Sequence, residues 1–186
     1  MAIDYGKYND ADLVKELAGD KEHSEHAFSE IYSRYSQRIY AYCLRIMGHQ
    51  EDAQDIFQEV FVKFYNMAQT LNYVENLPGL LITISRNLCL NLKRDLKLNT
   101  KIEDFNLVIY DKGYDNKELL QLISRALVLL DFEYREVFIL RQYHGLSYLE
   151  IAKIIGESES TARNRAWRAK EKIKDILSPY LADLSK

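Results

Sequence analysis

The chain has few of the residues that interrupt helices or cross-link a fold. Its 186 residues include only 7 glycines and 2 prolines, too few for the many tight turns of a β-rich protein. The 2 cysteines, Cys43 and Cys89, each stand in an apolar, helix-like stretch, so we expect reduced, buried thiols. No apolar run is long enough to cross a bilayer, and the first residues carry mixed charges that a signal peptide would not have. These absences predict a helical, cytoplasmic protein without membrane insertion.

The residue clusters that carry enzymatic chemistry are also missing from the sequence. It contains no paired carboxylates at catalytic spacing, no nucleophile elbow and no glycine-rich phosphate loop. His23 and His26 are three residues apart and could share a helix face, but no neighbouring cluster completes a set of metal ligands. We therefore expect no catalytic site, no cofactor and no metal.

The net charge limits how the chain could bind nucleic acid. At -3, it argues against a protein that coats nucleic acid by bulk attraction. Any DNA binding would rest on local basic patches or on help from a partner. The 14 tyrosines exceed what a core alone needs, and their amphipathic rings suit contact surfaces.

One such basic patch lies in the stretch Leu146–Ile176. Ser147 and Glu150 fit a capping box at the start of a helix, and Gly156 fits the left-handed residue that ends it. Ser158 fits the cap of a second, strongly basic helix. Short helix, glycine turn and basic helix are typical of a helix-turn-helix, whose second helix enters the DNA major groove. Taken alone, the stretch could also be an ordinary helical hairpin with a solvated basic face.

Apolar spacing predicts an all-α chain. Periods of three and four residues indicate a helix at 10–18, which Asp10 could cap, then a polar break, and further helices at 27–47, 51–69, 77–98, 117–130 and 133–143. The helix-turn-helix follows, and Pro179 is expected to end it. Residues 99–116 lack any sustained period and are rich in Asp and Asn. The sequence therefore predicts two small helical domains, 1–98 and 117–186, joined by a flexible linker over 99–116.

Two helices of the first domain carry polar faces of opposite character. The helix at 51–69 has an acidic first half, which is either plain solvation with dipole complementarity or a docking surface for a protein. The helix at 77–98 is expected to be capped by Asn76, with Pro78 in its first turn, and becomes basic midway. A basic, amide-bearing helix end beside a polar loop suits nucleic acid.

Two segments carry a family resemblance. IYSRYSQRIYAYCLRIMGHQEDAQDIFQEVFVKFY, followed by ISRNLCLNLKRD, resembles region 2 of RNA polymerase sigma factors of the small extracytoplasmic-function group. LDFEYREVFILRQYHGLSYLEIAKIIGESESTARNRAWRAKEKI resembles their region 4. Each motif is moderately specific, and the two occur in the family's order, separated by a short linker. Together they cover nearly everything from Phe28 to Leu177.

The resemblance implies three contact sites. The segment that binds core polymerase matches Asp52, Asp55, Gln58, Glu59 and Phe61. The segment that captures the promoter's minus-ten element matches Tyr73, Asn76, Arg86, Asn87, Asn91, Lys93, Arg94 and Lys97. The helix that reads the minus-thirty-five element matches Ser160, Thr161, Arg163, Asn164, Arg165 and Arg168.

The implied function is promoter-specific, DNA-templated transcription initiation, for a stress- or signal-responsive set of genes. The partners would be bacterial core RNA polymerase and promoter DNA, because two weak DNA sites become strong once polymerase fixes both. Family members are often held inactive by an anti-sigma factor, so such a protein is a further candidate partner. A free-standing helix-turn-helix regulator and a protein-binding helical adaptor remain the alternatives.

The recognition helix departs from the family's pattern. Glu157 and Glu159 stand beside the groove-facing turn, where acids would repel phosphate. Ala162 and Ala166 fill apolar positions, which suggests looser packing. We expect Trp167 to serve as the core anchor instead, with stacking against a sugar-phosphate edge as the alternative.

Overall fold

The computed structural model describes residues 4–71, 73–99 and 117–184. All regular elements in those ranges are helical, which confirms the predicted all-α class. A 3-10 turn, Tyr5–Lys7, precedes the α-helices α1 Asp10–Glu16, α2 Lys21–Met47, α3 Gln50–Ala68, α4 Leu77–Asn99, α5 Lys117–Leu129, α6 Phe132–Gln142, α7 Tyr148–Ile155 and α8 Glu159–Leu184. The predicted linker lies outside the described residues, except for Asn99 at the end of α4.

The helices group into two compact units. The first contains α1, most of α2, α3 and α4, and the second contains α5 to α8 together with the segment Leu44–Gln50. The domain boundaries expected from the sequence, at 98 and 117, stay predictions.

The core of the first unit is built from the apolar stripes of its four helices. Its largest fully buried side chains recur at helical spacing, and they are Leu13, Leu17, Ile31, Ile39, Tyr42, Phe64, Leu77, Leu81 and Ile82. The helix α2 begins at Lys21, so the polar break expected before Ala27 is wrong. The cause is Asp20, whose Oδ1 accepts a hydrogen bond from the backbone N–H of His23 at 3.0 Å and starts the helix early.

Arg34 on α2 connects the first residues of the chain to the rest of the first unit. Asn9, not Asp10, caps α1, because the Asn9 Oδ1 accepts a hydrogen bond from the backbone N–H of Asp12 at 2.9 Å. The Asp10 carboxylate instead accepts from the Tyr35 hydroxyl at 2.5 Å and from Arg34 at 3.3 Å. Arg34 also donates to the carbonyl of Tyr8 at 2.8 Å, so one guanidinium holds helix and turn together.

In the second unit, α8 packs against α5, α6 and α7. Its inward face carries Ala162, Ala166 and Ala169, which are 0%, 2% and 0% exposed, so small side chains form its buried face. The looser packing expected from alanine stays a prediction. Pro179 lies inside α8 instead of ending it. Proline removes one backbone N–H, and the helix continues past this single lost hydrogen bond to Leu184.

A buried arginine closes the end of α5. Arg135 is 5% exposed and donates to the carbonyl of Leu130 at 3.0 Å and to that of Val128. Burial lowers the pKa of Arg135 to about 10, which still leaves the group charged at neutral pH. Arg135 therefore satisfies carbonyls that a helix end leaves without partners.

Candidate nucleic-acid interface

The helix-turn-helix has the local geometry that its sequence predicts. The Oγ of Ser147 accepts from the backbone N–H of Glu150 at 3.2 Å, and the Glu150 carboxylate accepts from the backbone N–H of Ser147 at 2.7 Å. Gly156 has φ 72°, the left-handed conformation that ends α7. Ser158 begins α8, because its Oγ accepts from the backbone N–H of Thr161 at 3.1 Å. The capping box, the glycine turn and the second cap are thus confirmed.

The outward face of α8 presents most of the residues predicted to read the minus-thirty-five element. Ser160, Arg163, Asn164 and Arg168 are exposed, opposite the buried alanines. Thr161 is half-buried, and its hydroxyl lies 2.8 Å from the Ser158 Oγ. The exposed residues offer donors for base edges and for phosphates.

Both acids beside this face have arginine partners. Arg163 donates to Glu159 at 2.8 Å, one helical turn away. Arg165 lies 3.0 Å from Glu133 and 3.2 Å from Glu157, with only 21% of its side chain exposed. The arginines therefore offset the phosphate repulsion expected of Glu157 and Glu159. The two arginines differ in exposure: Arg163 is exposed, whereas Arg165 is largely buried and links α8 to Glu133 on α6.

Tyr148 contacts one of the predicted minus-thirty-five residues, although the sequence did not point to it. The guanidinium of Arg163 lies over its ring at 5.0 Å from the centroid, and that of Arg141 at 4.8 Å. Such cation–π contacts orient an exposed arginine without consuming its donors. No spacing rule joins these three residues, because they come from three different helices.

Trp167 does not have the role predicted from the sequence. Its side chain is 64% exposed, so it does not anchor the core. The buried alanines fill the inward face, and the indole lies among the polar side chains of α8.

In the first unit, the predicted minus-ten residues lie on α4 and the loop before it. Asn76 caps α4, because its Oδ1 accepts from the backbone N–H of Gly79 at 2.9 Å. The exposed members of the set are Tyr73, Asn76, Asn87, Asn91 and Arg94. Arg86 and Lys93 are half-buried, and the Lys97 side chain lies outside the described residues. Asn87, Asn91 and Arg94 follow four- and three-residue steps, so one face of α4 carries two amides and a cation.

The predicted polymerase-binding residues lie on α3. Asp55, Gln58 and Glu59 are exposed and Asp52 is half-buried, while Glu59 pairs with Lys63 at 2.8 Å. Phe61 was expected to contact polymerase directly, but it is only 4% exposed. It therefore lies beneath this surface and does not form part of it.

Sequence reasoning also missed an aromatic cluster around Phe61. Tyr32 packs against Phe61 with ring centroids 4.8 Å apart, and Phe28 contacts Phe61 and Tyr65 edge to face. Tyr32 is 41% exposed and Val62 is 59% exposed, so apolar surface adjoins the acidic residues of α3. The helical spacing of these residues predicts a buried stripe, so the sequence alone does not indicate that Tyr32 and Val62 are exposed.

The histidines expected to lack a complete metal site have other contacts. The Nδ1 of His23 lies 2.7 Å from the Asp20 carboxylate, and the ring of His26 stacks on that of Tyr5. Among the residues with described positions, no group of three or more candidate ligands is placed to hold a metal ion. In the same residues, no helix is both long and apolar enough to cross a membrane.

Comparison with known families matches both units. Residues 31–98 match the family model of sigma-70 region 2, and residues 120–173 match that of sigma-70 region 4. The RNA polymerase sigma factor YlaC of Bacillus subtilis is 30% identical over 158 residues, which cover 80% of this chain and 90% of YlaC. The chain therefore belongs to the sigma-70 family of RNA polymerase sigma factors and directs transcription initiation.

Within the family, the chain is of the extracytoplasmic-function type. The ECF sigma factor SigE of Mycolicibacterium smegmatis is 28% identical over 166 residues, which cover 84% of this chain and 64% of SigE. Among solved structures, the sigma factor RpoE of Bartonella quintana, in complex with the anti-sigma factor NepR, matches with a TM-score of 0.70. That match has 24% identity and covers 81% of this chain and 96% of RpoE, and it supports the fold alone.

Proposed function

We propose that this sigma factor binds core RNA polymerase through α3 and places α4 and α8 on two separate promoter elements. The observation that carries the proposal is a basic, outward helix-turn-helix face on a chain whose net charge is -3. Such a chain gains little from bulk attraction to DNA. A large partner that fixes both DNA-facing helices at once converts two weak contacts into one strong one.

The polymerase-binding surface combines charge with exposed apolar area. Asp55 and Glu59 supply acids that would steer the approach of a basic partner, and Gln58 lies between them. Tyr32 and Val62 supply apolar area next to the acids. An apolar centre with a polar rim is the usual composition of a protein–protein interface.

The minus-ten element would be held by α4 and the loop before it. An unpaired base loses roughly a few kcal/mol of stacking energy, and contacts with the protein must offset that loss. Tyr73 is 68% exposed and can offer a stacking surface, while the amides of Asn87 and Asn91 can bond base edges. The Oδ1 of Asn76 already accepts the hydrogen bond that caps α4. Its amide N–H groups are therefore the atoms that can bond DNA.

The minus-thirty-five element would be read as a duplex by α8. Arg163 is the main candidate for a base contact, since it is exposed and oriented by Tyr148. Its ion pair with Glu159 is exposed and worth about 1 kcal/mol or less, so a base edge can replace it. Arg165 acts as a positioning residue, because its guanidinium is occupied by Glu133 and Glu157.

The remaining parts of the proposal concern the cell. Sigma factors are non-catalytic initiation factors, and we propose that this chain acts in that way in the bacterial cytoplasm. A stress- or signal-responsive set of target genes stays a prediction. An anti-sigma factor also stays a predicted partner, although RpoE of Bartonella quintana was solved with one.

The test is reconstitution with core polymerase. The full chain is expected to be retained by core enzyme in a pull-down and to open promoter DNA only in its presence. The double variant Asp55→Lys/Glu59→Lys should compete poorly with other sigma factors for core enzyme. Glu22→Lys/Glu25→Lys is the matched control, since it makes the same charge change at exposed positions of α2. Equal competition by both variants would rule out α3 as the docking surface.

The free-standing regulator is tested in the same preparation. It predicts a dimer in sedimentation and a palindromic footprint without polymerase. A monomer that gives no footprint alone, and a footprint over two separated elements with core enzyme, supports the sigma factor.

A further inference from the structure

Trp167 is the chain's only tryptophan, and it is exposed to solvent. Its side chain is 64% exposed on α8, while the inward face of the helix is filled by Ala162, Ala166 and Ala169. Isolated exposed apolar side chains are common on proteins, so the surroundings of this one decide its meaning.

Those surroundings are polar and mainly cationic. Ala166, next to Trp167 in the chain, is buried, and the other residues adjacent to it or one turn away are exposed: Arg163, Asn164, Arg168, Lys170 and Glu171. Three cations and an amide surround the indole against one acid. This charge is complementary to phosphate, whereas a protein-docking patch would continue the apolar area around the tryptophan.

The position of Trp167 along α8 sets which part of the DNA its indole would face. At about 1.5 Å rise per residue, Trp167 lies about 10.5 Å along the axis from Ser160. A recognition helix lies in the major groove with its N-terminal residues at the base edges, so side chains further along its axis move away from the bases. A residue two turns further along the same face is therefore placed near the groove border, which consists of sugar and phosphate.

We propose that Trp167 packs its indole against the deoxyribose and phosphate groups that border the major groove at the upstream promoter element. The inference rests on the proposed reading of that element by α8. Backbone contacts position a protein on DNA without reading sequence. Trp167 thus supplies affinity at every sequence, whereas Arg163 supplies the choice between sequences.

The contact also has a distinct salt signature. A lysine or arginine on a phosphate releases counterions, so its loss reduces the slope of log affinity against log salt by about one. An uncharged indole on the same backbone releases none. Trp167→Ala should weaken binding at every salt concentration and leave the slope unchanged, whereas Arg168→Ala should lower the slope.

The experiment measures dissociation constants of reconstituted holoenzyme for promoter fragments. One fragment has the intact upstream element, and the others carry single-base substitutions in it. Trp167→Ala should weaken binding to all of them by a common factor of about ten, equivalent to about 1.4 kcal/mol. Trp167→Phe should recover part of the loss. Tyr180→Ala is the matched control: it removes a 53% exposed aromatic about 20 Å further along α8, and binding should not change.

The outcomes separate this inference from the proposed function. Wild-type affinity in Trp167→Ala, or a loss confined to the intact element, refutes the backbone contact. A lower melting temperature or weaker core binding in that variant assigns Trp167 to folding or assembly and refutes it as well. If Arg163→Ala and the base substitutions also change nothing, the reading of DNA by α8 fails with it.

Discussion

Arg163 and Arg165 are two residues apart on α8, and the structure gives them different tasks. Arg165 has a side chain that is 21% exposed and contacts Glu133 at 3.0 Å and Glu157 at 3.2 Å. Arg163 has a side chain that is 62% exposed and contacts Glu159 alone among these acids. We predict that Arg165→Ala lowers stability and leaves DNA preference intact, while Arg163→Ala does the reverse.

The magnitude follows from the exposure of the partners. The side chains of Glu133 and Glu157 are 47% and 43% exposed, so water screens both pairs. Each partly exposed pair is worth about 0.5–1 kcal/mol, which gives a loss of about 1–2 kcal/mol for Arg165→Ala. The exposed pair of Arg163 and Glu159 contributes about 0.3–0.5 kcal/mol, so Arg163→Ala should scarcely change stability.

Urea unfolding followed by circular dichroism measures the stability change, and holoenzyme binding to upstream-substituted promoters measures the preference. A double-mutant cycle between Arg165 and Glu133 should give a coupling of about 0.5–1 kcal/mol. Arg163→Ala should cost about 1–3 kcal/mol of binding to the intact element and relax the choice at one base pair. Wild-type stability together with relaxed base preference in Arg165→Ala would refute the division of roles.

Three further predictions concern other parts of the fold. Asn76→Ala should cost about 1 kcal/mol of stability by removing the α4 cap, while Asn76→Asp should keep the cap and weaken promoter opening, as thermal melting and permanganate reactivity would show. Arg135→Met should destabilise the chain by about 1–3 kcal/mol in urea, because the carbonyls at the end of α5 lose their donor. The Asp20 hydrogen bond raises the pKa of His23, so this pair stabilises the fold fully below the ordinary histidine pKa and loses its effect as pH rises through the raised value. In an NMR titration, Asp20→Asn should bring the His23 pKa down, and an unchanged value would exclude the pairing.

Local signals predicted much of the fold and of the site. Ser147, Glu150 and Gly156 determine their own backbone geometry within a few residues, so the helix-turn-helix could be predicted from spacing alone. The Asn76 cap could be predicted for the same reason. The two family-like segments added the assignment to sigma factors, which no single motif carries.

The errors came from contacts that the sequence does not place side by side. Trp167 has the size of a core residue, but the alanines opposite it already fill the space. Asp10 has a side chain that can cap a helix, but its carboxylate accepts hydrogen bonds from Arg34 and Tyr35 instead. Phe61 lies in a binding motif, yet Tyr32 and Phe28 from α2 cover it. Each outcome depends on a neighbour that is distant in the chain or on another face of the helix.

The most direct measurement is in vitro transcription from a randomised promoter library, with core polymerase, with this chain, and with both. We predict that only the combination yields defined start sites, preceded by two sequence motifs at constant spacing. Arg163→Ala should relax the preference at one position of the upstream motif and leave the downstream motif unchanged. Start sites that are the same with and without the chain would contradict its role in promoter selection.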